Sequence, residues 1–274
     1  MIQLFCSDFD GTLAQRGRVL PENAKAIRHL IETGTAFSLV TGRPFGNARK
    51  LMGAQNIQGH IIASNGAVVM QDGTTLLSAR CIPHDALQEI IAYAHEKKWF
   101  YVAYTLDESI VPVTLPRALF YAVGRLVQHK TGMRIVRERD VAPDGWRITK
   151  LNLYPRGIPV QDVFAQWADD SRLYVTVSSQ NKIEISAAGV SKWAGIQTLA
   201  EALGISASQI ATIGDYDNDV PMLEKASLSF AIGDGQPAAK AAAREVVAPV
   251  AENGVAEAVY RVMALNEQHA GETR

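Results

Sequence analysis

The sequence predicts an α/β protein, a doubly wound and mainly parallel sheet of the Rossmann type, with an α+β domain inserted into it. Three observations carry that expectation. Apolar runs of strand length alternate with helical periodicity from Ile2 to Ala63, the alternation stops after Ser64-Asn65-Gly66-Ala67, and it resumes at Lys192. Strands separated by a helix require crossover connections and therefore run parallel, whereas antiparallel neighbours need only a tight turn.

Taken in order, Ile2-Gln3-Leu4-Phe5-Cys6 reads as a buried first strand that ends at Asp8-Phe9-Asp10-Gly11-Thr12. Leu20-Pro21-Glu22 opens an amphipathic helix, with Ala24, Ile27, Leu30 and Ile31 on one face and Gly34 as its stop. Ala36-Phe37-Ser38-Leu39-Val40 is the second strand, ending in Thr41-Gly42-Arg43-Pro44, and a short helix to about Gly53 leads to Ile61-Ile62-Ala63. Gln71-Asp72-Gly73-Thr74 between two apolar triplets is a hairpin signal and marks the change of pattern. Residues 82–181 then read as a smaller α+β domain between the two parts of the core, 1–81 and 182–274. Its elements are a helix carrying Leu87, Ile90, Ile91 and Ala94, strand-like Phe100–Ala103, a helix from Pro116 to Lys130, strand-like Lys150–Leu153, a helix around Val160 to Trp167, and strand-like Leu173–Val177. Beyond it come a helix from Lys192 to Leu203, the strand Ile210–Ile213, Gly214-Asp215-Tyr216-Asp217-Asn218-Asp219, the strand Leu228–Ile232 and a closing helix over Val255 to Leu265.

A length of 274 residues accommodates one large core with a smaller inserted unit. Lysine plus arginine number 27 against 28 acidic residues, so no global field draws the protein to nucleic acid or an anionic membrane. Cys6 and Cys81 form no Cys-x-x-Cys pair, and the N-terminus carries no targeting pattern, which together predict a cytoplasmic protein. A monomer or weak homodimer is expected.

Chemistry concentrates at three strand ends. In an open parallel sheet, ligands collect at the carboxyl edge, where Asp8, Thr41 and Asp215 all fall. Asp8 and Asp215, with Asp219 close behind, form an oxygen-rich set suited to Mg²⁺, and no histidine or cysteine spacing favours zinc. A carboxylate beside Mg²⁺ can attack phosphorus, which makes Asp8 the candidate nucleophile. Asp10, two residues on, is the candidate acid and then base. Lys192 and Thr41 can hold the phosphoryl oxygens, and Gly11 allows a tight path past a ligand.

These segments, together with Ser64-Asn65-Gly66-Ala67 and Gly189-Val190-Ser191-Lys192, resemble the haloacid dehalogenase superfamily of phosphatases. Within it the chain is similar to the Cof-type branch (subfamily IIB), which has a large α+β cap, and the likeness spans nearly the whole chain. The resemblance implies a phosphorylated Asp8, an acid/base Asp10 whose backbone carbonyl also meets Mg²⁺, and metal ligation by Asp215, with Asp219 acting through water. It further implies phosphate or substrate contacts by Gly11, Thr41, Gly42, Arg43, Asn65, Lys192 and Asn218. Asp10 separates the chain from dehalogenating relatives, which lack that residue. Trp193 departs from the glycine that many relatives carry after the lysine.

The expected activity is hydrolysis of small organic phosphates, sugar phosphates leading. A phosphomutase on the same Asp8 intermediate and a non-catalytic binding protein of the same fold are the rival readings. The cap is expected to choose the leaving group. Arg117, Arg134, Arg137, Arg139 and Arg147 could contact a second phosphate or a sugar but are expected on a solvated face, as are His84, His95 and His129, with Tyr101, Tyr104 and Trp146 in the cap core in preference to stacking on a base or ring.

Overall fold

The computed structural model describes residues 1–113, 117–141 and 145–272. It divides into two compact units, one of Met1–Arg43, Leu51–Ser78 and Ser191–Arg274, the other of Pro44–Lys50 and Ala79–Val190.

The first unit holds an eight-stranded sheet. Its strand order is Glu245–Val247, Leu228–Ile232, Ile210–Gly214, Leu4–Ser7, Ala36–Val40, His60–Ala63, Val68–Gln71 and Thr75–Ala79. The first six run parallel, and His60–Ala63 pairs antiparallel with Val68–Gln71. The central strands are buried on both faces, which is why Leu4-Phe5-Cys6-Ser7 reads as a run and not as an alternation. Helices Pro21–Glu32 and Gly254–Glu272 pack against each other, and Lys192–Leu203 packs on Val220–Lys225. Lys192–Leu203 starts on Ser191, whose Oγ accepts from Ala194 N at 3.1 Å, and ends at left-handed Gly204. Trp193 is buried in the core with Leu4, Cys6, Val40 and Ile62, so the bulky residue at that place is a packing element.

The second unit is a six-stranded mixed sheet in the order Arg134–Arg137, Glu108–Val111, Phe100–Tyr104, Lys150–Tyr154, Lys182–Ala187 and Leu173–Ser179. Residues from helices His84–Glu96 and Val160–Trp167 and from one face of the sheet form its core, among them Leu87, Ile90, Tyr101, Trp146, Ile148, Val163 and Ile185. Lys182–Ala187 pairs antiparallel with two strands of this sheet, and residues 182–190 group with it. Arg137, expected on a solvated face, is instead buried, paired with Asp140 and stacked over Phe120 at 5.5 Å. The side chain of Arg117 lies outside the described residues. Among the described residues, no helix is long and apolar enough to cross a membrane.

Candidate active site

The parallel registers Leu4↔Ile210 and Leu4↔Ala36 bring three strand ends to one edge of the first unit's sheet. Asp8 follows the central strand directly, its backbone N–H donating to Ile213 O at 3.0 Å. Asp215 follows the neighbour on one side and Thr41 the neighbour on the other.

Lys192 joins the acids. Its Nζ donates to Asp8 Oδ1 at 2.6 Å and to Asp219 Oδ1 at 2.5 Å, and the lysine is 1% exposed. Such depth needs a close helix–loop approach, and two glycines supply it. A Cβ on Gly66 would lie 2.0 Å from Ser191 O, and one on Gly195 would lie 2.6 Å from Ile62 Cγ2 and 3.0 Å from Gly66 Cα. The other oxygen of Asp219 accepts from the N–H groups of Asp215 and Tyr216, both at 3.0 Å. Asp219 therefore holds the lysine with one oxygen and the Asp215 turn with the other. Gly11 sits at φ +87° with Asp215 against it: a Cβ there would be 2.3 Å from Asp215 Oδ2. Thr12, fully buried, donates its hydroxyl to Asp215 Oδ1 at 2.5 Å.

Each of Asp8, Asp215 and Asp219 offers an oxygen within 4.8 Å of the others. Burial raises the Asp8 carboxyl well above its usual range, against the pull of Lys192, and Asp219 and Asp215 add to the rise. Burial likewise pushes Asp215 up to about 6, with the Thr12 hydroxyl opposing and Asp219 adding to it. For Lys192, burial lowers the pKa, but Asp219 and Asp8 outweigh it and leave the ammonium firmly charged. Three carboxylates thus share one fixed cation, a balance that favours either proton uptake or a further positive charge. An all-oxygen donor set of this kind fits a hard divalent cation.

Asp10 is elsewhere. Its carboxylate is half exposed and gripped by Arg43, with Nε and Nη2 each 2.6 Å from one of its oxygens. Arg43 also lies over the buried Phe9 ring at 5.2 Å. Thr41, Arg43 and Asn65 are laced together, with Arg43 N donating to Thr41 Oγ1 at 3.2 Å, Asn65 N to Thr41 O at 3.0 Å and Ser64 N to Arg43 O at 2.9 Å. Gly42 leaves room for Asn65, whose Oδ1 would be 3.0 Å from a Cβ at residue 42. Asn65 Oδ1 in turn accepts from Asn218 Nδ2 at 3.2 Å. The eleven residues read from the sequence therefore fall into two groups. Asp8, Lys192, Asp215 and Asp219, with exposed Gly11 against Asp215, form the acidic centre, and buried Thr41 together with Asp10, Gly42, Arg43, Asn65 and Asn218 makes a neighbouring polar arc. Sequence reasoning missed the Gly66–Gly195 approach and the Thr12–Asp215 bond. The small residues next to the Asn65 and Lys192 motifs were the available signal for the first.

A doubly wound sheet with a lysine-bridged acidic centre at its carboxyl edge defines an α/β protein built for anion chemistry beside a cation. A protein-family model of haloacid dehalogenase-like hydrolases matches residues 5–259. The chain belongs to that family, and the resemblance read from the motifs is borne out. It is 25% identical over 262 residues to the 5-amino-6-(5-phospho-D-ribitylamino)uracil phosphatase YcsE of Bacillus subtilis, covering 94% of each chain. It is 28% identical over 266 residues to a phosphoglycolate phosphatase of Methanothrix thermoacetophila, covering 96% of this chain and 98% of that one. Among solved structures, a haloacid dehalogenase-like hydrolase from Bacteroides thetaiotaomicron has the same fold, with a TM-score of 0.82 over 96% of this chain and all of that one at 20% identity.

Proposed function

We propose that this hydrolase is a Mg²⁺-dependent phosphomonoesterase of the Cof type, acting on small organic phosphates, sugar phosphates foremost, through an aspartyl-phosphate on Asp8. One observation carries the reading: a buried Asp8 bridged by Lys192 to Asp219, with Asp215 beside them. The two relatives described above are named for phosphomonoester substrates of different size, which supports the reaction class and leaves the leaving group to this chain's own residues.

Asp8, Asp215 and Asp219 would hold Mg²⁺ with the Asp10 carbonyl, Asp219 through water, and the ion when bound offsets the repulsion between carboxylate and phosphate. Asp8 attacks phosphorus as the ester P–O bond breaks, and Asp10 gives the leaving oxygen its proton. Asp10 then takes a proton from the water that cleaves the aspartyl-phosphate, releasing inorganic phosphate and restoring Asp8. Lys192 stays charged throughout and stabilises the equatorial oxygens with the Thr41 hydroxyl and the N–H groups near Gly11 and Gly42. Arg43, Asn65 and Asn218 meet the substrate side of the phosphate. We assign the choice of leaving group to the second unit. The unpaired Cys6 and Cys81 suit a reducing, cytoplasmic compartment, and a monomer or weak homodimer suffices for this chemistry.

The test is phosphate release from a panel of phosphorylated metabolites with Mg²⁺ and with chelator. Release that needs Mg²⁺ and vanishes in Asp8→Asn supports the reading. Isomerised sugar phosphate without free phosphate would make the protein a mutase, and inert wild-type protein would leave only a binding role.

A further inference from the structure

The chain passes between its two units at four points, Arg43/Pro44, Lys50/Leu51, Ser78/Ala79 and Val190/Ser191. The first of these adjoins the residue that grips Asp10. A single helix, Phe45–Ala54, runs from that point, with its residues as far as Lys50 in the second unit and the remainder in the first.

The start of this helix is seated with unusual closeness. Asn47 Nδ2 donates to Thr131 O at 2.9 Å, just where helix Arg117–Thr131 ends. Gly132 follows in a left-handed conformation, φ +76°, its N–H donating to Gln128 O at 2.8 Å. A Cβ on Gly132 would stand 2.5 Å from Gly46 O, and one on Gly46 would stand 2.6 Å from Met133 Sδ and 3.0 Å from Gly132 O. Backbone meets backbone here, and neither place accepts a side chain. The receiving turn is itself fixed, since Thr131 Oγ1 donates to Val127 O at 2.8 Å and accepts from Met133 N at 3.1 Å.

Short bonds run from this seat back to Asp10. Asn47 N and Ala48 N donate to Pro44 O at 3.1 and 3.0 Å. Pro44 follows Arg43, whose backbone is tied to Thr41 Oγ1 and Ser64 N and whose guanidinium meets Asp10 at two oxygens. We infer that Asn47 and Gly132 are positioning residues for Asp10: by seating the first turn of helix Phe45–Ala54, they fix Arg43 and thereby aim the Asp10 carboxylate. The inference rests on the phosphatase reading, because proton transfer by Asp10 is what it governs.

Leaving groups of different basicity provide the test. Phenolate needs a proton as it departs far more than p-nitrophenolate does, so a misaimed acid slows phenyl phosphate selectively. In Asn47→Asp, which keeps the shape but lacks the donor, and in Gly132→Ala, kcat/KM, which reports formation of the aspartyl-phosphate and not its hydrolysis, falls about tenfold on phenyl phosphate and less than about threefold on p-nitrophenyl phosphate. Thr105→Val, which loosens a turn elsewhere in the second unit by removing the acceptor for Glu108 N, lowers the melting temperature without such selectivity. Equal losses on both esters, or none, in the variants that fold overturn the inference. If Gly132→Ala does not fold, Asn47→Asp decides alone. Wild-type protein inert on both esters would instead remove the phosphatase reading, and this inference with it.

Discussion

Two clusters in this molecule have the same composition, one cation and three carboxylates, and opposite surroundings. In the first unit Lys192 faces Asp8, Asp219 and nearby Asp215, with the lysine 1% exposed and Asp219 wholly buried. In the second unit Arg172 meets Asp85, Asp170 and Glu89 at 2.7 to 2.8 Å, with the Asp85 and Glu89 side chains 65% and 60% exposed. The carboxyls respond with opposite signs. Hydrogen bonds from Arg172 lower Asp85 and Asp170, whereas burial raises Asp8 and Asp215. The charges are alike, and water decides between a solvated brace and a reactive centre.

The comparison breaks most visibly at Asp8. Asp8→Asn removes the proposed nucleophile while keeping volume and most of the packing. Phosphate release is expected to fall at least about a thousandfold, roughly 4 kcal/mol at the transition state, with the circular dichroism spectrum unchanged. Residual turnover near wild type would mean that another group carries the phosphoryl.

Lys192→Met asks what the buried cation does for the fold. Asp8 and Asp219 lose their shared partner, and breaking a buried pair in this way typically costs about 3–5 kcal/mol. Denaturant unfolding should show a loss of that order in the metal-free protein, with activity lost as well. A stable but inactive variant would show that the carboxyls simply take up protons when the lysine is gone.

The pH dependence sharpens the contrast further. Asp215, raised from 3.8 to about 6 in the metal-free fold, keeps a proton there that the unfolded chain releases at lower pH. Its contribution to stability therefore falls as pH rises across that window. A divalent cation must displace the proton, so the rise in melting temperature on adding Mg²⁺ should be larger at pH 7.5 than at pH 5. An equal rise at both values would place the ion away from Asp215. The smallest effect belongs to the exposed cluster: Arg172→Met should leave activity unchanged and the melting temperature within the scatter of repeated scans, since solvated ion pairs are screened.

The core was readable in the sequence because its strands are buried on both faces and its helices are bounded by local signals. Leu4–Ser7, Ala36–Val40 and Ile210–Gly214 stand out as apolar runs, and helix Lys192–Leu203 is marked by Ser191 before it and Gly204 after it. The second unit was harder. Glu108–Val111 and Arg134–Arg137 are four residues long, the two arginines of the latter fall on opposite faces, and neither these nor Lys182–Ala187 were recognised as strands. Lys182-Ile183-Glu184-Ile185 does alternate, but the alternation gains meaning only beside Leu151 and Val175, its partners from two other strands.

At the site, the identities of Asp8, Asp10, Thr41, Lys192 and Asp215 follow from their places at strand and helix ends, which local pattern determines. That Asp10 turns to Arg43, that Asp219 holds Lys192 with one oxygen and the Asp215 turn with the other, and that Thr12 holds Asp215 was decided only by tertiary structure. The reason is physical. Which groups stand at a sheet edge depends on neighbours along the chain, whereas which oxygen meets which donor, and how far water is excluded from them, depends on residues up to about two hundred positions apart, as with Thr12 and Asp215 at a separation of 203.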